Sequence, residues 1–224
     1  MSEEAEVYRR IYSDSLGPLA RGEAELDPFL LDPASDRRMG LSLVAPLPAL
    51  GRAGASLAEA FREAEPGQYF YPPGDLHATV FDFVSARADY APDAALERRL
   101  DAICSRAAAS TGRLDIEFRG VVLGRAAGLI KGYAQGRLGP LRERLRSDLA
   151  EAGLPNTERY RSKTAHATFF RFSRPPRDPA ALLRLAEDWS EAGLCVERSI
   201  ALQLVEHDWY NRASTRRLIA EYRA

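Results

Sequence analysis

The sequence has little of what marks membrane, secreted or duplex-binding proteins. Its longest apolar run, residues 41–50, carries two prolines and falls short of the ~20 residues that a membrane span needs. The first ten residues lack the apolar stretch of a signal peptide. A net charge of −1 gives no bulk attraction to long duplex nucleic acid or to a membrane surface. We therefore expect a soluble, cytoplasmic protein.

Cysteine and lysine are scarce as well. Cys104 and Cys195 have no metal-ligand spacing around them, so both are expected to be free thiols. Lysine occurs at Lys131 and Lys163, whereas arginine supplies the other basic positions. No His, Asp or Glu cluster stands at metal spacing, so the sequence predicts neither a metal nor a cofactor.

What is present is the composition of a globular protein. The 224 residues are 46% hydrophobic and 28% charged, enough for one sizeable core or two closely packed lobes. Residues 1–39 predict a helix followed by an extended segment that wraps the surface, because prolines and Asp-Pro steps follow a weak helical pattern. From residue 40 to 224 helical and strand patterns alternate without a linker. This predicts an α+β fold with an antiparallel or mixed sheet whose halves share one cleft.

Two of the three histidines stand in the same tripeptide, His-Ala-Thr, at residues 77–79 and 166–168. Threonine fills only 6 of 224 positions, so two such pairings by chance are expected in roughly two sequences per thousand. Both copies lie in strand-like segments, where alternate side chains share a face. His77 and Thr79 should therefore point the same way, as should His166 and Thr168.

Two histidines and two hydroxyls facing one cleft suit attack on phosphorus. A neutral imidazole can accept a proton from water or a hydroxyl while a protonated one donates to the departing oxygen. An unperturbed pKa near ~6.5 allows either role near neutral pH. Threonine hydroxyls can donate to phosphoryl oxygens, where negative charge accumulates.

With these residues the sequence resembles the two-histidine (2H) phosphoesterase superfamily, which includes bacterial 2′,5′ RNA ligase-like proteins and cyclic nucleotide phosphodiesterases. The family motif, His-x-Thr/Ser before an apolar residue, matches "HATV" (77–80) and "HATF" (166–169). The resemblance spans about residues 40–222 and implies a single bilobal domain over 40–224, with a pseudo-two-fold axis, outer helices and a central cleft. It implies metal-independent opening of a 2′,3′-cyclic or similar cyclic phosphate, or related phosphodiester cleavage. His77 and His166 would be the catalytic acid and base, with His166 as base, and Thr79 and Thr168 would bind the phosphate.

Arg171, Lys131 and Tyr133 are further candidates for substrate binding. Some relatives carry an arginine where Arg171 stands, but strand alternation puts it opposite His166 unless a bulge intervenes, and a surface or packing role is the alternative. Lys131 and Tyr133 share a strand face and are hypothesised to line the cleft. A solvated strand is the competing interpretation.

Phe81 and Phe170 continue the faces of the two histidines, so they could stack a nucleobase, although core packing is the more common use of such rings. His207 lacks a threonine two residues on and is expected to be an edge histidine near Asp208.

The partner expected from these patterns is a small nucleotide or a short RNA end with a cyclic phosphate. Two alternatives stay open. One is a non-catalytic nucleotide- or RNA-end-binding module, and the other is reversible 2′–5′ RNA ligation at the same site.

Overall fold

A computed structural model describes residues 2–158 and 160–223. Its helices are α1 (Glu3–Ala20), α2 (Pro48–Ala53), α3 (Ala55–Ala64), α4 (Ala94–Thr111), α5 (Leu138–Glu151) and α6 (Pro179–Asp188). Its strands are β1 (Met39–Pro46), β2 (Tyr69–Phe70), β3 (His77–Arg87), β4 (Ile116–Leu123), β5 (Ala127–Tyr133), β6 (Ala167–Arg171), β7 (Gly193–Glu197), β8 (Ala201–Asp208) and β9 (Arg217–Arg223).

The nine strands form one sheet in the order β7-β4-β5-β6-β3-β1-β8-β9, with β2 added beside β6. Every pairing is antiparallel, which confirms the α+β class and decides between the antiparallel and mixed alternatives. Two four-stranded halves meet at the β6–β3 junction, where Ala78 pairs with Ala167. The hairpin β8–β9 belongs to the half that contains the first tripeptide, so the lobes are not the two halves of the sequence.

Local signals explain most helix boundaries. Asp93 caps α4 by accepting from the backbone N–H groups of Ala95 and Leu96. Ser56 and Glu59 have the spacing of a capping box, but α3 begins at Ala55 and has no side-chain cap. Part of the apolar run 41–50 forms the short helix α2, since Pro48 suits a first helical turn.

Side chains of helix α1 form hydrogen bonds with the backbone at the end of β5. The Tyr8 hydroxyl donates to the carbonyl of Gly132 at 2.9 Å and accepts from its N–H at 3.0 Å. The carboxylate of Glu4 accepts from the N–H of Ala134. These bonds place α1 on the sheet at the end of β5, where it also packs against β4. The division of the chain at residue 40 stays a prediction.

No helix within 2–158 and 160–223 has both the length and the hydropathy needed to cross a bilayer.

Candidate active site

Both tripeptides face a single cavity at the junction of the two half-sheets. His77, Thr79, His166 and Thr168 all line this space of about 130 Å³, which we call the central cavity. Ala78 pairs with Ala167, so extending the antiparallel register by one residue each way sets each histidine across from the other strand's threonine. Directly opposed Cβ atoms lie roughly 4.5–5.5 Å apart. The alanines between them are fully buried, which holds the polar pairs on the open face.

A bulge in each motif strand changes the side chains that follow. Val44 pairs with Thr79 but the preceding Leu43 pairs with Phe81, which leaves Val80 as an extra residue. The same step recurs in β6, where Leu129 pairs with Thr168 and Gly128 with Phe170. Each bulge lies three residues after the histidine and reverses the alternation beyond it.

The bulges overturn the expected placement of Phe81 and Phe170. Both rings are buried in the core, 2% and 0% exposed, so neither can stack on a base. In their place Asp82 and Arg171, each five residues after its histidine, line the central cavity. The Arg171 Nε donates to the Tyr71 hydroxyl at 2.8 Å, which orients the guanidinium.

Lys131 and Tyr133 do not reach the central cavity, so the hypothesis that they line the cleft is wrong. They line a separate cavity of about 400 Å³ together with Tyr8. The Lys131 ammonium donates to Glu191 at 2.9 Å. The physical reason is α1, which crosses β5 at Gly132 and separates these two side chains from the tripeptides.

Burial sets the charge state of the two motif histidines. It lowers the pKa of His77 to about 4, against the opposing effect of its Nδ1 contact with the Asp75 carbonyl at 2.8 Å. Burial also lowers the pKa of His166 to about 4, and the cations of Arg142 and Arg171 act in the same direction. Both rings are therefore neutral at pH 7 in the free protein. An anionic phosphate between them would favour protonation of one.

Arg142 joins the backbones of the two motif segments from behind. It projects from α5, is 1% exposed, and donates from Nε to the Val80 carbonyl at 2.8 Å. Its Nη2 reaches the carbonyls of Thr79 at 3.1 Å and Thr164 at 2.8 Å. The Thr164 hydroxyl in turn contacts Nδ1 of His166 at 2.9 Å. One side chain thus fixes the spacing of both histidines.

His207 comes to the same cavity, which overturns its interpretation as an edge residue. Its strand β8 lies between β1 and β9, and the side chain is buried. Nδ1 donates to the Asp208 carbonyl at 2.6 Å, and Nε2 lies 2.7 Å from the Ser42 hydroxyl, which contacts Asp82 at 2.5 Å. Burial lowers the pKa of His207, although the Asp208 carbonyl and the nearby carboxylates act in the opposite direction.

The threonine hydroxyls of the tripeptides have no hydrogen-bond partner among the described residues. Both are partly exposed at the cavity. They are free to donate to a ligand oxygen, and the Arg171 cation lies on the same wall.

No protein-family model matches the chain, and no curated protein matches it. Solved structures do match. TT0787 of Thermus thermophilus aligns with a TM-score of 0.58 and 20% identity, over 83% of this chain and 97% of its own. The chain has a LigT-like fold. A structure described as a phosphoesterase gives 0.56 and 16% over 83% and 98%, and E. coli LigT complexed with 3′-AMP gives 0.52 and 15% over 83% and 98%.

Within this LigT-like fold, sequence reasoning missed Asp82, Arg142 and Tyr71. The signal for Asp82 was its spacing, because it follows His77 by the same five residues that separate Arg171 from His166. Arg142 stands on the apolar stripe of α5, four residues after Leu138, where a charge is unusual. Nothing in the sequence pointed to Tyr71. Among the residues that the structure describes, no group of three or more His, Cys, Asp or Glu side chains is placed to hold a metal ion.

Proposed function

We propose that this protein is a two-histidine phosphoesterase that opens a cyclic phosphate, of the 2′,3′-cyclic nucleotide or RNA-end type, without a metal. The observation that carries the proposal is the convergence of two imidazoles, two unpartnered threonine hydroxyls and the Arg171 cation on one small cavity. These are the groups that proton transfer and charge stabilisation at phosphorus require.

In the proposed reaction the His166 imidazole accepts a proton from water as the water oxygen bonds to phosphorus. The bond from phosphorus to one ribose oxygen breaks, and His77 donates a proton to that oxygen. Thr79, Thr168 and Arg171 hold the non-bridging oxygens. Each proton transfer is typically worth about 10²–10⁴ in rate. Proton exchange with solvent restores the starting charge states.

The surroundings of the two rings support this order. The Asp75 carbonyl accepts from Nδ1 of His77 and so favours its protonated form, which an acid needs. The Arg171 cation disfavours protonation of both rings, whereas the Arg142 cation favours the neutral form of His166 in particular. His77 as acid and His166 as base therefore fit the electrostatics.

The likeness to LigT complexed with 3′-AMP supports a nucleotide as the substrate class. A cytoplasmic location belongs to the same proposal, because Cys104 and Cys195 are free thiols, which a reducing compartment preserves.

The test is incubation with 2′,3′-cyclic AMP in EDTA, with product followed by chromatography. We expect turnover in the wild type and in Arg184→Ala, an exposed arginine on α6 that serves as the control. His77→Ala and His166→Ala should each lower kcat by at least about 10², the lower limit for one proton transfer. Turnover that survives both replacements would end the proposal.

The alternatives give different outcomes. A binding module would bind the cyclic nucleotide without forming product. A 2′–5′ ligase would join an RNA 5′-hydroxyl to the cyclic end in preference to hydrolysing it.

A further inference from the structure

The central cavity is too small for a nucleotide, and the open space continues in one direction. Its volume is about 130 Å³, whereas ligand pockets measure roughly 300–1,000 Å³. A groove of about 570 Å³ shares Tyr160, His166, Thr168 and Arg171 with it and extends to α1. We call it the α1 groove. A substrate whose phosphate occupies the central cavity has room for its remainder there.

One face of α1 forms a wall of this groove. The lining residues follow helical spacing and are Val7, Arg10, Ile11, Asp14 and Ser15. Residues 160–163, the segment that leads into the second tripeptide, and the turn at 124–126 also line the groove. Arg9, one residue before Arg10, faces the separate cavity that contains Lys131 and Tyr133.

The α1 groove is strongly positive although the whole chain is nearly neutral. Five cations line it against two carboxylates, Asp14 and Glu25; the cations are Arg10, Arg125, Arg161, Lys163 and Arg171. Arg125, Arg161 and Lys163 make ion pairs at exposed positions. Such pairs are weak, so a phosphate can compete for these cations. Arg10 makes no ion pair with the described residues and is exposed.

We propose that the α1 groove binds the backbone of a single-stranded oligonucleotide whose terminal phosphate occupies the central cavity, with Arg10 contacting a further phosphate along the strand. This inference rests on the proposed function and names its substrate class. Tyr160, 60% exposed where groove and cavity meet, provides an aromatic face on which a base can stack. A mononucleotide would leave the cations of α1 and of the 124–126 turn unused.

The experiment compares 2′,3′-cyclic AMP with a tetranucleotide RNA that ends in a 2′,3′-cyclic phosphate. The wild type should have the higher kcat/KM on the tetranucleotide, and Arg10→Ala should reduce the tetranucleotide-to-mononucleotide ratio by about tenfold or more, as expected for a lost contact to a charged group. The salt dependence of log KM for the tetranucleotide should weaken by about 0.7 per phosphate contact removed. Arg9→Ala, on the same helix with the same charge change, should leave the ratio unaltered.

Binding separates this inference from the catalytic proposal. A fluorescent tetranucleotide with a 3′-phosphate, followed by anisotropy, should bind Arg10→Ala more weakly than wild type or Arg9→Ala. That result without any turnover would support oligonucleotide binding in the α1 groove and contradict the catalytic proposal. Turnover with equal kcat/KM on both substrates, or equal losses from Arg9→Ala and Arg10→Ala, would overturn the groove and leave the catalytic proposal standing.

Discussion

His77 and His166 should make the folded chain sensitive to mild acid. Burial lowers the pKa of each from 6.5 to about 4. Between these values the unfolded chain binds more protons than the folded chain, so stability falls as the pH falls through that window. For one histidine the loss is about 1.8 kcal/mol between pH 7 and pH 5, and about 3.4 kcal/mol once the pH is below both values.

Replacing His166 with asparagine removes one of these titrations and should remove its share of the loss. We expect the difference in unfolding free energy between pH 7 and pH 5 to shrink by about 1.8 kcal/mol relative to wild type. Urea unfolding followed by tryptophan fluorescence at the two pH values measures this difference. The contributions of the other titratable groups cancel when the variant is compared with the wild type. Thr168→Val, in the same cavity but without a titratable group, should retain the full loss. An asparagine variant as acid-sensitive as the wild type would refute the claim that His166 is held neutral by burial.

Two further predictions concern the support of the site. Arg142→Met should lower kcat/KM by at least about tenfold, because three backbone carbonyls lose a charged donor worth roughly 1.5–3 kcal/mol each. Steady-state kinetics measures this, with Arg184→Met as the control. Equal kcat/KM values for the two variants would contradict the prediction. Gly128→Ala should destabilise the fold by about 1–3 kcal/mol in urea unfolding, since a Cβ there would overlap the Phe170 ring. Gly139→Ala, where nothing lies within 4 Å, should be neutral or stabilising.

The placement of the four tripeptide side chains around one cavity could be predicted because each tripeptide carries its own geometry. A histidine and a threonine two residues apart on a strand share a face whatever the strand pairs with. The helical and strand periods likewise predicted the α+β class, since each pattern reports burial on one side of its own element.

The residues beyond the tripeptides were harder because their placement depends on partners. The bulges at Val80 and Phe169 arise in the pairing with β1 and β5, so they cannot be predicted from the sequence of either motif strand alone. This is why Arg171 faces the central cavity and Phe170 faces the core. The placement of Lys131 failed for a related reason, because α1 crosses its strand and no local pattern records the crossing.

The hydrogen bonds from Arg142 to both motif segments should limit motion between the two lobes. Any widening between the lobes would stretch its bonds to Thr79 and Thr164 together, so we expect the separation of the imidazoles to fluctuate little. Entry of a ligand and release of a product would then depend on movements at the rim of the cavity, such as those of residues 160–163, while the β6–β3 junction stays rigid. The protein would move at the rim of the cavity and not between its two lobes.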